Sequence, residues 1–303
     1  MPTEPWVAIG VPIDSVGREG GTELAPAAVR ERDLAGRLGA RDAGDLAPRI
    51  RGDERDAATG VVGIDGVLAV TEAVRAAVGD AVAVGARPLL IGGCCTLVPG
   101  ALAGLRDAGA AAGIANVDGH VDVYDGVTSP TGEAADMPVG VALGREPARW
   151  VAAAGGPSVR PGQVVALGAR DPEEAEDIAA LLAGDLAALD VLGPEALRAE
   201  GLAAAGERTA ARLGRFWIHL DVDVLDEAAM PATDYLMPGG LDWDELAALL
   251  GPLAAAAGLA GLSLGCLNPE KDPDGAATDR TCDLLAEALG LSGSSRGTRR
   301  PRR

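Results

Sequence analysis

Residues 117–125 read VDGHVDVYD and residues 219–226 read HLDVDVLD. Asp118, His120 and Asp122 alternate in the first stretch, and Asp221 and Asp223 alternate in the second. Each stretch follows an apolar run, GIAN before the first and RFWI before the second. Side chains two apart on a strand share one face, so two such strands side by side would gather five hard or borderline ligands in one place. Four buried carboxylates at short range repel and raise one another's pKa values unless a cation sits among them. Aspartate also ends strands and opens turns for purely local reasons. A DxHxD run and a DxD run, each behind a buried strand, nevertheless point to a metal site, either one ion or two that share carboxylates.

Of the 303 residues, 48% are hydrophobic but only seven are aromatic, so Ala, Val and Leu must fill the interior. The net charge of −19 argues against nucleic acid as a partner, which needs a basic surface. No apolar run is long enough to span a bilayer, and MPTEPWVAIG lacks the basic start and cleavage site of a secretion signal, so the expectation is a cytoplasmic protein with no membrane contact. Cys94, Cys95, Cys266 and Cys282 are too few and too clustered for a disulfide framework, which fits reduced thiols.

Apolar runs of strand length alternate with helical periodicity along the chain. Trp6–Gly10, LLIGG after Arg87 and Pro88, Gly113–Asp118, Gln163–Gly168, Arg215–Asp221 and Leu259–Leu264 read as strands, and Leu186–Leu192 as a weaker one. Helices are expected after Pro26, from Val67 to about Val84, through Ala101–Ala112, from Pro172, over Pro194–Leu213, from an Asp242 N-cap to about Ala257, and over Ala276–Leu289. Arg41–Asp56 is charged and irregular and reads as a solvated loop. This rhythm predicts a largely parallel sheet covered on both faces, in one domain over residues 1–291. The arginine-rich remainder, 292–303, reads as a disordered basic tail.

With these motifs in order, the chain resembles the ureohydrolases, the family of arginase, agmatinase and formiminoglutamase. The likeness runs from the glycine-rich turn in GVPIDSVGREGGTELAPAAVRE to the closing Leu267–Asn268–Pro269. It implies a three-layer α/β/α sandwich with an eight-stranded, mostly parallel sheet, and a trimer or hexamer. It also implies up to two Mn²⁺ ions that activate a bridging hydroxide for attack on a guanidino or imino carbon. Carried over by motif, Asp118, His120 and Asp122 are metal ligands, with Gly119 for the usual alanine, and so are Asp221 and Asp223. Asp118 and Asp221 would bridge both ions. His219, two residues before Asp221 and on the same face, reads more readily as a buried histidine behind the ligands than as a ligand itself.

Three departures stand beside the likeness. Where the family has GGDHS, this chain has Gly92, Gly93, Cys94, Cys95 and Thr96, so Cys95 takes the place of a histidine ligand. Thiolate is soft, so that site would be weak, empty or filled by Zn²⁺, Fe²⁺ or Co²⁺. The histidine that arginases carry in the loop after the first motif is Ala135 here, with Glu133 as a substitute acid or base beside Asp122. The acidic residue before V-N-P is Cys266. Asp136, Asp171 and Asp234 lie in loops at the expected mouth and, with Cys266, are the candidate substrate contacts.

Both a guanidinium anchor and a proton shuttle are therefore missing, and ordinary arginine hydrolysis is disfavoured. The expectation is a metal-dependent hydrolase acting on a linear C–N bond of a guanidine, N-hydroxyguanidine, amidine or ureido group. The alternatives are a degenerate relative serving as a ligand-binding or scaffold protein, and a thiol cluster of Cys94, Cys95 and Cys266 that holds zinc or senses redox state.

Overall fold

A computed structural model of the chain describes residues 4–17 and 21–290. The expected C-terminal tail lies outside them. The first half runs β1 (Trp6–Val11), α1 (Ala25–Glu31), α2 (Leu34–Arg37), β2 (Arg41–Asp45), α3 (Ile64–Ala83), β3 (Arg87–Gly92), α4 (Val98–Asp107) and β4 (Gly113–Val117). Two short helices, α5 (Pro138–Ala142) and α6 (Ala148–Ala153), then lead to β5 (Val164–Leu167), α7 (Pro172–Ala183) and β6 (Asp190–Leu192). The rest is α8 (Pro194–Glu200), α9 (Leu202–Leu213), β7 (Phe216–Asp221), α10 (Trp243–Ala255), β8 (Leu259–Gly265) and α11 (Ala276–Gly290).

The eight strands form one sheet in the order β2-β1-β3-β8-β7-β4-β5-β6, and every pairing is parallel. Parallel strands need covered faces, which explains why most of them read as continuous apolar runs. Val67, Val70, Val74 and Val78 of α3 pack with Leu102 and Leu105 of α4 against one face. Leu246, Leu249, Leu250 and Leu253 of α10 pack with Leu284 and Leu285 of α11 against the other. Small residues do the work that scarce aromatics cannot. A Cβ on Gly100 or Gly104 would stand 2.7 Å from the Thr71 carbonyl or 2.6 Å from that of Arg75, so these glycines set how closely α3 and α4 approach.

The predicted three-layer sandwich is thus the observed one, with local corrections. Arg41–Asp45, expected in a loop, is the edge strand β2. It has no buried face to leave an apolar signature; backbone pairing with β1 holds it, together with Arg30 of α1, which donates to Asp42 and Asp45 at 2.8 Å each. The helix expected over Pro194–Leu213 is two, parted at Gly201, whose φ of 94° no helix accommodates. The weak strand is real but short, only Asp190–Leu192. Among the described residues no helix is long and apolar enough to cross a membrane.

Because all strands are parallel, their carboxyl ends share one edge, where open α/β sheets place their ligands. The four central strands, β3, β8, β7 and β4, are those that run into the cysteine pair, Cys266, the DxD run and the DxHxD run.

Asp242 caps α10 as expected, accepting from the Glu245 amide at 2.8 Å while Glu245 accepts from the Asp242 amide at 3.0 Å. Asp242→Ala should therefore lower stability by about 1 kcal/mol in urea unfolding; no change would mean that the box contributes nothing.

Candidate metal centre

The two acidic runs reach the site differently from the alternation that flagged them. β4 ends at Val117, so Asp118, Gly119, His120, Val121 and Asp122 lie beyond the strand. Asp122 turns the chain with a φ of 60°. Asp221 is the last residue of β7, and Asp223 sits in the 3-10 turn that follows. Side chains converge because two neighbouring parallel strands end at the same level, and the turns after them fold toward each other. The Gly119 amide donates to Asp223 at 3.0 Å, the His120 amide to Asp118 at 2.8 Å, and the Asp223 amide to Asp221 at 2.9 Å.

His120 lies between carboxylates, with Nδ1 3.1 Å from Asp223 Oδ2 and 3.5 Å from Asp118 Oδ1, and Nε2 3.6 Å from Asp171 Oδ2. Burial opposes its charge, but Asp223 and Asp118 outweigh burial and raise its pKa. Asp118, Asp122 and Asp221 are buried, and burial together with neighbouring carboxylates pushes all three above the usual range. Only Asp223 is lowered: burial works against its charge, and His120 more than compensates. Cys95 donates its thiol proton to Asp221 at 2.7 Å and its sulfur lies 3.5 Å from that of Cys266. That contact with Cys266, then burial and Asp221, hold the Cys95 thiol well above its ordinary pKa. Cys94 points instead to Thr96 Oγ1 at 3.2 Å.

The donor set suits a divalent cation. Oδ2 of Asp122 and Nε2 of His219 are buried with no hydrogen-bond partner, an arrangement costly unless something else takes their lone pairs. One donor atom from each of Cys95, Asp118, His219 and Asp221 falls within 4.8 Å of the others, as do donors of Asp118, His120 and Asp122. Asp118 belongs to both groups. Two of the three non-glycine residues with positive φ among those described, Asp122 and Cys266, lie here, so the backbone is strained where the donors meet.

A cleft of about 380 Å³ opens over these side chains. Glu133, Asp136, Asp171, Asp234 and Cys266 all border it. Asp136 accepts from Ser129 and Thr131, Asp171 caps α7, and Asp234 pairs with Lys271 at 2.6 Å. Glu133 accepts from Ser15 at 3.1 Å, and burial followed by Asp136 raises its pKa.

Sequence reading missed two residues that hold the site together. Glu174, in the first turn of α7, accepts the Val121 and Asp122 amides at 2.7 and 2.9 Å and so fixes the turn carrying the first motif. Arg170 donates to the carbonyls of Asp223, Leu225 and Met237 at 2.8, 3.0 and 3.1 Å, clamping the loop after the second motif. It also accounts for Gly119, because a Cβ there would stand 2.9 Å from Arg170 Nη1 and 2.9 Å from Asp223 Oδ1. Both residues sit in GARDPEE, where only Asp171 drew notice. A strand-end turn followed by Pro and two acids was the available signal.

Comparison with known proteins places this arrangement. The model of the arginase family matches residues 4–290. The chain belongs to the arginase family. It is 28% identical to an arginase of Bacillus caldovelox over 303 aligned positions, covering 95% of this chain and 98% of that one. The solved structure of the Bacillus caldovelox arginase superimposes with a TM-score of 0.86 at 25% identity, over 96% of this chain and 99% of that one. An N(omega)-hydroxy-L-arginine amidinohydrolase of Streptomyces lavendulae is 30% identical over 175 positions, 57% of this chain and 58% of that protein. Within the arginase family, cysteine at 95 and 266 is thus set in an otherwise intact fold.

Burial of the carboxyl groups, with their mutual repulsion, gives the centre a pH signature in metal-free protein. Glu174, raised to about 7 chiefly by burial, and Asp118, Asp122 and Asp221, raised in the same direction, bind protons more tightly folded than unfolded. His120, also raised, acts with the same sign above 6.5. His219, lowered by burial to about 3, acts oppositely only between there and 6.5. Where the folded state holds more protons, stability falls as pH rises. Urea unfolding of metal-free protein should therefore show stability declining through about pH 7, and a divalent cation should abolish the decline. A flat or rising profile would refute the tighter hold of these buried groups on their protons.

Proposed function

We propose that this arginase-family protein hydrolyses the C–N bond of an N-hydroxyguanidine or a comparably weakly basic guanidino group, using a divalent metal centre. The observation that carries the reading is Cys266, a neutral thiol bordering the cleft 3.5 Å from Cys95, where the family resemblance calls for a carboxylate. A guanidinium needs a charge partner, because leaving a buried cation unpaired is costly. An N-hydroxyguanidine is less basic, since its hydroxyl withdraws electron density, and it can enter neutral. The partial likeness to the Streptomyces lavendulae amidinohydrolase supports the same class.

In this reading Asp118, His120, Asp122, Asp221 and Asp223, with Cys95, hold the metal. A divalent ion held by these residues would supply Lewis acidity and lower the pKa of water at the site. Glu133, whose raised pKa suits it to carry a proton, delivers it to the departing amine. Asp136 and Asp171 face the polar tail of the substrate, and Asp234 with Lys271 closes the rim. The net change is water plus R–NH–C(=NOH)–NH₂ giving R–NH₂ and hydroxyurea. Cys95 favours Zn²⁺, Fe²⁺ or Co²⁺ over Mn²⁺ at its own position.

Elemental analysis of purified protein, before and after incubation with Mn²⁺, Co²⁺ or Zn²⁺, tests the centre, followed by assays for released urea and hydroxyurea. About two metals per chain and preferential turnover of N-hydroxyguanidines are expected. Faster turnover of arginine would contradict the substrate class, and a protein taking up no metal would contradict the chemistry. Cys266→Glu should shift kcat/KM toward the guanidinium substrate by roughly tenfold or more, the worth of a charge-assisted hydrogen bond. An unchanged ratio would mean that position 266 does not read the group.

A further inference from the structure

We propose that His219 is itself a metal ligand, so that Cys95, Asp118, His219 and Asp221 together form one half of the centre. The inference rests on the reading that the protein holds a metal, and it takes the less favoured of the two sequence readings of His219, a ligand in place of a buried histidine behind the ligands. His219 lies in the middle of β7, paired with Asn116 on β4 and Ser263 on β8, and its side chain has no solvent exposure. It stands two residues before Asp221 and therefore on the same face of the strand.

Its ring is held by one nitrogen and open at the other. Nδ1 is 2.8 Å from Ser263 Oγ, and the same oxygen accepts the Trp217 indole N–H at 2.9 Å, so Ser263 is itself fixed in the core. Nε2 is buried and has no partner. Were Nε2 to carry a hydrogen, it would have Asp118 and Asp221 carboxylates close by and would be expected to donate to one of them. None accepts it. With the hydrogen on Nδ1, donated to Ser263, the Nε2 lone pair points at the cluster, which is the tautomer that a ligating imidazole needs.

The four donor atoms are spaced for one ion. They lie within 4.8 Å of one another, the span expected around a cation with bonds of about 2.0–2.3 Å. The ring lies close against the neighbouring strand at Gly265, where an added Cβ would meet Cε1 at 3.1 Å.

The arrangement also makes sense of the sequence. This chain has only two histidines, His120 and His219. The imidazole missing from position 95 is replaced by one entering from the strand beneath, and a thiolate occupies the vacated corner. One sulfur, one imidazole nitrogen and two carboxylates make a softer site than carboxylates and imidazole alone, which favours Zn²⁺, Co²⁺ or Fe²⁺ there.

Cobalt provides a test that does not depend on turnover. Metal-free full-length protein is loaded with Co²⁺ alone. The paramagnetically shifted, exchangeable imidazole N–H signals are then counted by proton NMR, while the thiolate-to-cobalt absorption reports Cys95. Two N–H signals are expected, one for each histidine, with the His219 proton protected from exchange by Ser263. His219→Gln should remove one signal and weaken cobalt binding at the thiolate site by about tenfold or more. His120→Gln should remove the other, which assigns both even if His219→Gln does not fold. Bound cobalt with the thiolate absorption but a single imidazole signal, lost only in His120→Gln, would overturn the role of His219 and leave the metal centre standing. No cobalt bound at all would overturn both.

Discussion

Like charges buried at the ends of parallel strands are the constraint on which this structure turns. Asp118, Asp122, Asp221 and Asp223 are almost wholly out of water, and the strands that carry them, β4 and β7, are neighbours in the middle of the sheet. A fold that gathers carboxylates in this way is stable only if protons or a cation answer them. The surrounding structure serves that arrangement. Glu174 pins the turn of the first motif from α7, and Arg170 pins the loop of the second. Positive φ at Asp122 and Cys266 is strain tolerated at the place where donors must converge.

Against this shared frame, the cysteine departures from the family pattern stand just past the ends of central strands, apart from the loop that carries Ala135. Cys95 follows β3, Cys266 follows β8 and His219 lies within β7, and the cluster they form faces the shared carboxylates Asp118 and Asp221. The other half of the centre, around His120 and Asp122, keeps the harder donors. A divided centre of this kind has one face that prefers hard ions and one that accepts soft ones. The thiol bordering the cleft at Cys266 extends the same change toward the substrate, replacing charge by a weakly polar group.

The acidic rim follows from the same economy. Asp136, Asp171 and Asp234 all reach the cleft, but each is already engaged, by Ser129 and Thr131, by the first turn of α7, and by Lys271. Carboxylates held in this way are oriented before a ligand arrives, so less side-chain freedom is lost when it binds.

Much of this was legible in the residues themselves. Parallel β/α rhythm, the cap at Asp242, and both acidic runs are local properties, written in spacing and in the order of apolar segments. So were the substitutions at 95 and 266, because they stand inside recognisable motifs. What local pattern could not convey was the way the parts meet. The edge strand β2 has no apolar face and exists through its pairing with β1 and its ties to Arg30. The DxHxD residues share a site because β4 and β7 end side by side, not because they alternate on a strand. Glu174 and Arg170 looked like surface charges until packing buried one against two amides and threaded the other among carbonyls. The orphaned nitrogen of His219 is a fact of three adjacent strands, and no reading of one strand contains it. Residue type and order determined which chemistry this protein carries. Tertiary structure decided which donors face one another, because buried polar groups take their meaning from partners that are distant in sequence.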